Sequence, residues 1–143
     1  MDKCKDHITG KEGESKAAEY LQSLGYKIID RNFICKHGEI DIVAFDSKAN
    51  EYVFVEVKTR TNFGYGKPID AVDKEKQKHI VSATNYYIYI NNLENQYIRF
   101  DIIQIFKNKM FYIKHNKNVE ITAKNYNFND FSDDFKDYTY YPF

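Results

Sequence analysis

Cysteine is scarce in this chain. Cys4 and Cys35 are the two present in 143 residues, too few for a disulfide framework and in keeping with a reducing compartment. No apolar run is long enough to cross a bilayer. Asp2, Lys3, Lys5 and Asp6 occupy the stretch where a secretory leader would place its apolar region. A soluble, cytoplasmic protein with no membrane partner is therefore expected. Neither sign of charge is in excess, with 21 basic and 21 acidic residues, which argues against a protein that coats nucleic acid by charge alone. No internal repeat and no base-reading motif is visible.

Hydrophobic residues make up 43% and aromatic residues 17%, enough for one globular domain with its own core. The zero net charge hides an asymmetry. Residues 125–143 hold four Asp and one Lys, a net of −3, leaving +3 on residues 1–124. Lys58, Arg60, Lys67, Lys74, Lys76 and Lys78 cluster in the middle of the chain.

Thr9 and Glu12 have capping-box spacing, and Ala17, Ala18, Tyr20, Leu21 and Leu24 follow at helical spacing, with Gly25 as a stop. A first helix over 10–24 is predicted. Strands are predicted over 26–33, 39–46 and 52–59, with turns at 35–38 and 47–51. A loop over 60–68 carries Gly64-Tyr65-Gly66, too short for a phosphate-binding signature. A second helix is predicted over 70–90, a fourth strand over 98–106 and a fifth over 110–114. This order gives an α/β domain, a mixed sheet with helices packed against it, over residues 1–118. Residues 119–143 form a separate acidic tail, in which Phe128, Phe131, Phe135 and Tyr138 recur at helical spacing. That stripe suits either docking on its own domain or a protein partner.

The chemistry lies in two neighbouring segments, Gly38-Glu39-Ile40-Asp41-Ile42-Val43 and Tyr52-Val53-Phe54-Val55-Glu56-Val57-Lys58. On the second, period-two alternation puts Phe54, Glu56 and Lys58 on one face and Val53, Val55 and Val57 on the other. Glu56 and Lys58 then project side by side, roughly 7 Å apart by strand rise. Asp41 and Glu56 supply the hard oxygens that Mg²⁺ or Mn²⁺ prefers, and the main-chain carbonyl of Val57 adds a further ligand. Lys58 would stand beside the metal water and the phosphate. Glu14, early on the first helix, is the fourth candidate as ligand or supporting acceptor. Lys76 and Gln77 are helpers for the phosphate, and Arg60, Lys67, Lys74 and Lys78 complete a nucleic-acid contact set.

Each element has a plainer reading. A lone Glu-x-Lys commonly makes a solvated strand face, and Lys74 to Lys78 interleave with Asp73 and Glu75 as a solvated helix face would. Cys4-x-x-His7 with Cys35-x-His37 lacks the regular spacing of a zinc site. Order and combination favour the metal reading: Asp41, then Glu56 and Lys58, on consecutive strands with Glu14 upstream.

Gly13-Glu14-x-x-Ala17-x-x-Tyr20-Leu21-x-x-x-Gly25-Tyr26, then Asn32, Gly38-Glu39-Ile40-Asp41-Ile42-Val43 and Val53-Phe54-Val55-Glu56-Val57-Lys58-x-Arg60, with Lys76, Ala83 and Arg99-Phe100-Asp101, resemble the YraN-like uncharacterised protein family, UPF0102. The likeness covers about residues 10–106. It implies membership of the PD-(D/E)XK nuclease superfamily, with a restriction-endonuclease-like fold similar to archaeal Holliday-junction resolvases. It also implies that Asp41, Glu56 and Lys58 hold the superfamily's three signature positions, with Glu14 matching a helix-one Glu. The expected function is a Mg²⁺- or Mn²⁺-dependent endonuclease hydrolysing DNA phosphodiester bonds, on structured or damaged DNA, with a homodimer open to it. The alternatives are a non-catalytic nucleic-acid-binding or assembly module on the same fold, and an interaction protein whose tail recruits a partner.

Overall fold

The structure, a computed structural model, describes residues 9–60, 73–108 and 110–119, without the side chains of Arg60 and Asn108. Helix α1 (Gly10–Ser23) starts as its capping box requires, the Thr9 hydroxyl accepting the Glu12 N–H at 3.0 Å. It stops in a Schellman turn: Gly25, at φ 91°, and Tyr26 donate back to the carbonyls of Gln22 and Leu21, both at 3.0 Å. Strands β1 (Lys27–Cys35), β2 (Gly38–Asp46) and β3 (Glu51–Arg60) follow as an antiparallel meander. Helix α2 (Lys74–Ile90) crosses over to β4 (Tyr97–Asn108), parallel to β3, and β5 (Met110–Asn116) pairs antiparallel with β4. The result is one five-stranded mixed sheet in the order β1-β2-β3-β4-β5.

The predicted element order holds, with shifted ends. Helix α2 does not begin at Asp70: Asp73 is extended and acts as N-cap, its carboxylate accepting the Lys76 N–H at 2.8 Å. A residue in that conformation cannot continue a helix from upstream. The aromatic stripe of the tail, Gly64-Tyr65-Gly66, Lys67, Cys4 and His7 lie outside the described residues.

Helix α1 covers one face of the sheet. Ala17 and Leu21 pack onto Val53 and Val55 of β3 and Ile103 and Ile105 of β4, all fully or almost fully buried. Ala17 and Ala18 keep the helix close to the strands. Helix α2 covers the other face, where Ala83, Tyr87 and Ile88 meet Ile40, Val43 and Phe54. Gly38 sets how near β2 comes: a Cβ there would lie 2.6 Å from the His79 carbonyl oxygen, at a φ of 147°.

At the β2–β3 turn end of the α1 face sits a buried polar network. Arg99 donates to Asp101 through Nε (2.9 Å) and Nη2 (3.0 Å), to Asp46 at 3.0 Å and to the Tyr26 hydroxyl at 2.7 Å. His115 Nε2 contacts Asp101 at 2.7 Å, and its Nδ1 meets the Tyr20 hydroxyl at 3.1 Å. Burial alone would raise the Asp46 and Asp101 carboxyls. Hydrogen bonds outweigh it, from Arg99 and the Ala49 N–H to Asp46 and from His115, Arg99 and the Asn118 N–H to Asp101, and hold both below the usual carboxylate range. Breaking such a network from one side leaves uncompensated buried charge. Arg99→Met is expected to lose about 3–5 kcal/mol at pH 7, read from the urea midpoint. The parent's network stability is complete above the unfolded carboxylate value near 3.9 and is lost as pH falls through the depressed folded values. The variant's acid limb should therefore be shallower, and equal acid limbs would show that this network is not what acid breaks.

Candidate functional site

The site forms where β2 and β3 part. Their ladder runs from the turn to the pair Ile42–Val55 and ends there. One residue further on, the Asp41 carboxylate takes the place of a backbone partner, its Oδ2 accepting the Val57 N–H at 2.8 Å. The β1–β2 ladder also skips this point: Arg31 pairs with Ile42 and Phe33 with Ile40, while Asn32 between them is left-handed at φ 53°. The period-two alternation of a regular strand is accordingly interrupted in β2. Ile40 packs on the α2 side and Ile42, two residues on, on the α1 side. On β3 alternation is intact, with Val53 and Val55 beneath α1 and Phe54 facing α2.

Asp41 and Glu56 meet carboxyl to carboxyl and hydrogen-bond one another. Glu56 is 8% exposed. Desolvation, then the Asp41 charge, pushes its carboxyl up to about 7, while Lys76 and Lys58 pull the other way. Desolvation also raises Asp41, against the Val57 N–H and the Glu56 hydrogen bond. Lys58 Nζ lies 3.6 Å from Glu56 Oε1, so two residues about 7 Å apart along the strand converge at their tips. Glu14 arrives from α1. With the Asn32 amide turned so that its nitrogen faces Glu14, it donates to both carboxylate oxygens, at 2.7 and 3.1 Å. Burial, then the Asp41 charge, raises Glu14 as well.

Lys76 reaches in from the first turn of α2, its Nζ 3.5 Å from Glu39 Oε1, and its charge acts on both Asp41 and Glu56. Glu39 was not singled out from the sequence, although it sits in the same Gly-Glu-x-Asp stretch; its exposed place at a strand start reads as solvated. Gln77 is 3% exposed and, with Glu56, borders a cavity of about 20 Å³, one water's worth, walled by Phe54, Ile80 and Phe100. It belongs to the wall of the site. Lys74 is exposed and Lys78 half-buried further round α2, Arg60 ends β3 and Lys67 lies outside the described residues. The described lysines therefore divide, with Lys58 and Lys76 at the carboxylates and Lys74 and Lys78 elsewhere on α2.

Among the described residues no three His, Cys, Asp or Glu side chains are gathered to hold a metal ion by themselves. The donor set still fits a hard divalent cation. Mg²⁺ is typically held by one or two carboxylates and completed by water and phosphate oxygens. In a strand the N–H and C=O of one residue point to the same side, so the Val57 carbonyl faces the gap where Asp41 takes its N–H. A buried and a half-buried carboxyl driven to share a proton are a site short of positive charge.

The fold and the site define a mixed-sheet α/β domain that carries an Asp–Glu–Lys constellation at a strand fork. The profile of the Uncharacterised protein family UPF0102 matches residues 13–105, and the chain belongs to that family. It is 43% identical to a UPF0102 protein of Persephonella marina over 108 residues, 76% of this chain and 91% of the relative. It is 46% identical to one of Caldanaerobacter subterraneus over 108 residues, 76% and 87% of the two chains. Identity to a Clostridioides difficile relative is 45% over 97 residues, 68% and 83%. No helix among the described residues is long and apolar enough to cross a membrane.

The raised Glu56 carboxyl makes a signed prediction. Above about pH 7 it is ionised and its burial costs stability; as pH falls from about 7 toward the unfolded value of 4.5 the folded state takes up the proton and stability rises. Glu56→Gln in chelator-containing buffer at pH 8 should be more stable than the parent by on the order of 1–3 kcal/mol, with the gap closing by pH 5. Urea titrations at both pH values measure it; a less stable variant at pH 8 would contradict the sign.

Proposed function

We propose that this protein is a metal-dependent endonuclease with a restriction-endonuclease-like fold, hydrolysing phosphodiester bonds in DNA. One observation carries the reading: the buried Glu56 carboxyl against the half-buried Asp41, with Lys58 at 3.6 Å from Glu56, at the fork of two strands. The family resemblance to junction resolvases supports branched or otherwise structured DNA as the substrate. Asp41, Glu56 and the Val57 carbonyl would hold Mg²⁺ or Mn²⁺, with Glu14 in support. When bound, such an ion neutralises charge on the phosphate and makes water a better nucleophile.

The protein's own residues do the rest. The Val57 N–H holds the Asp41 carboxylate through Oδ2 and so fixes its orientation beside Glu56. The packed wall of Phe54 and Ile80 keeps bulk water from the Glu56 side, which strengthens every charge interaction there. Lys58 sits in reach of a phosphate oxygen above Glu56 and offsets charge that builds up as the bond breaks. Lys76, which shares the field of the same carboxylates, is placed to swing from Glu39 onto a neighbouring phosphate. Contacts of this kind read backbone and shape, and binding should weaken with salt.

Purified protein is expected to nick branched or supercoiled DNA with Mg²⁺ or Mn²⁺, and Glu56→Ala or Lys58→Ala to lower the rate at least 100-fold, an amount typical of losing charge stabilisation at the reacting atoms. Mn²⁺ should raise the melting temperature of the parent and leave Asp41→Asn unmoved. Parent-like cleavage by both variants would remove the assignment; metal stabilisation without cleavage of any DNA would instead support a non-catalytic binding module.

A further inference from the structure

Asn32 of β1 and Asp41 of β2 stand opposite one another without pairing, between the pairs Arg31–Ile42 and Phe33–Ile40. Both strands turn over at that point. Facing residues of an antiparallel pair share a side of the sheet. Ile42 lies beneath α1, and Arg31 opposite it donates from Nη2 to the Ser15 hydroxyl of α1 at 3.2 Å. Ile40 and Phe33 both pack on the α2 side. In an unbroken strand Arg31 and Phe33 would share a face, and Asn32 would point away from α1.

The left-handed backbone of Asn32, at φ 53°, breaks that alternation. Two consecutive residues of β1 then reach two consecutive residues of α1, Arg31 to Ser15 and Asn32 to Glu14. Asn is one of the few side chains that takes this conformation readily, and its amide donates. Glycine would adopt the backbone without a donor, and aspartate would set a second acid against Glu14. Position 32 asks for a backbone and a donor at once, and asparagine supplies both. Glu14 needs that donor. It is half-buried, and burial, then the charges of Asp41 and Glu39, disfavour its ionised form against the pull of Arg31. The Asn32 nitrogen, 2.7 and 3.1 Å from its two oxygens, bonds to the carboxylate and fixes its direction. Asn32 is itself exposed, so water would serve the carboxylate in its place; direction is what a held side chain adds.

We propose that Asn32 is a positioning residue: its left-handed backbone aims the side chain at α1, and its amide holds the Glu14 carboxylate beside Asp41, oriented toward a divalent cation bound there. The use of that carboxylate rests on the metal reading proposed above; the positioning rests on the geometry alone. One backbone irregularity thus serves the site twice. It lets β1 follow β2 as that strand turns over at Asp41, and it brings to Glu14 a donor that regular alternation would have sent to the other face.

Three measurements on the full chain test it. In proton–nitrogen correlation spectra of the metal-free protein, the Asn32 side-chain amide signals should move on Glu14→Ala; unmoved signals would overturn the inference whatever the protein binds. In calorimetric titration with Mn²⁺ and no DNA, Asn32→Gly should weaken binding about 10–100-fold, the usual loss when the support of a metal ligand is removed. In a Glu14→Ala background the same change should cost less than about twofold, because the two residues act as one unit. Equal losses in both backgrounds would show that Asn32 acts by itself, and parent-like binding by Asn32→Gly would show that Glu14 needs no support; either overturns the inference. No Mn²⁺ binding by the parent would instead remove the metal reading, and the amide signals would then decide the positioning. Asn32→Gly keeps access to the left-handed backbone and should fold, whereas Asn32→Ala loses both backbone and donor and should melt at a lower temperature than Asn32→Gly. An equal or higher melting temperature for Asn32→Ala would overturn the part given to the backbone.

Discussion

Everything at the candidate site depends on one hydrogen bond, from the Val57 N–H to the Asp41 carboxylate. In a continued ladder that N–H would meet a backbone carbonyl of β2, and the strands would stay paired past Ile42 and Val55. A side chain fills the place, at 2.8 Å, and β2 is free to turn its alternation over between Ile40 and Ile42. The backbone polar group is satisfied, as burial demands. The same carboxylate is brought against Glu56, where it is electrostatically unwelcome. Strand separation and carboxylate pairing are one event.

Two acids held in that way weaken the apo fold, and the surroundings offset the strain. Ala17 and Leu21 press α1 onto Val53, Val55 and Ile103, tying β3 to β4 behind the site. On the other face, Ile40, Val43 and Phe54 pack on Ala83 and Tyr87, and Gly38 lets β2 approach α2 at backbone distance. Lys76 therefore stands over the carboxylates as a consequence of helix placement. The Arg99 network closes the far end of the α1 face, where Asp46, Asp101 and Tyr26 satisfy one guanidinium. The two ends treat buried acids in opposite ways. Asp46 and Asp101 are hydrogen-bonded by a guanidinium and ionise readily, whereas Glu56, desolvated and beside the like charge of Asp41, holds its proton to about 7 in spite of Lys58 at 3.6 Å. That contrast separates a structural charge cluster from a candidate functional site.

Much of this was legible in the residues. Helix α1 declares both ends through Thr9, Glu12 and Gly25, and β3 declares its two faces through unbroken alternation, because both signals are local. Asp41, Glu56 and Lys58 stand out for the same reason: charge at positions where a strand enters a core. The start of α2 was misplaced because the residues before Asp73 carry no sharper stop than Asp73 itself, whose capping role appears only in its extended backbone. The burial of Gln77 and the Glu39–Lys76 pair could not be read, since each depends on how α2 lies across β2.

The sequence by itself determined the element order, the amphipathic faces of α1 and β3, the acidic aromatic tail and the Asp, Glu and Lys of the candidate site. These follow from periodicity and from capping, which act over a few residues. Only the tertiary structure decided that Asp41 clamps Val57, that its carboxyl meets Glu56, and that Asn32 and Lys76 come to Glu14 and Glu39. Those partners are 15 to 37 residues apart or come together through a left-handed residue on a neighbouring strand. Local preference does not reach so far; the packing of two helices on one sheet does.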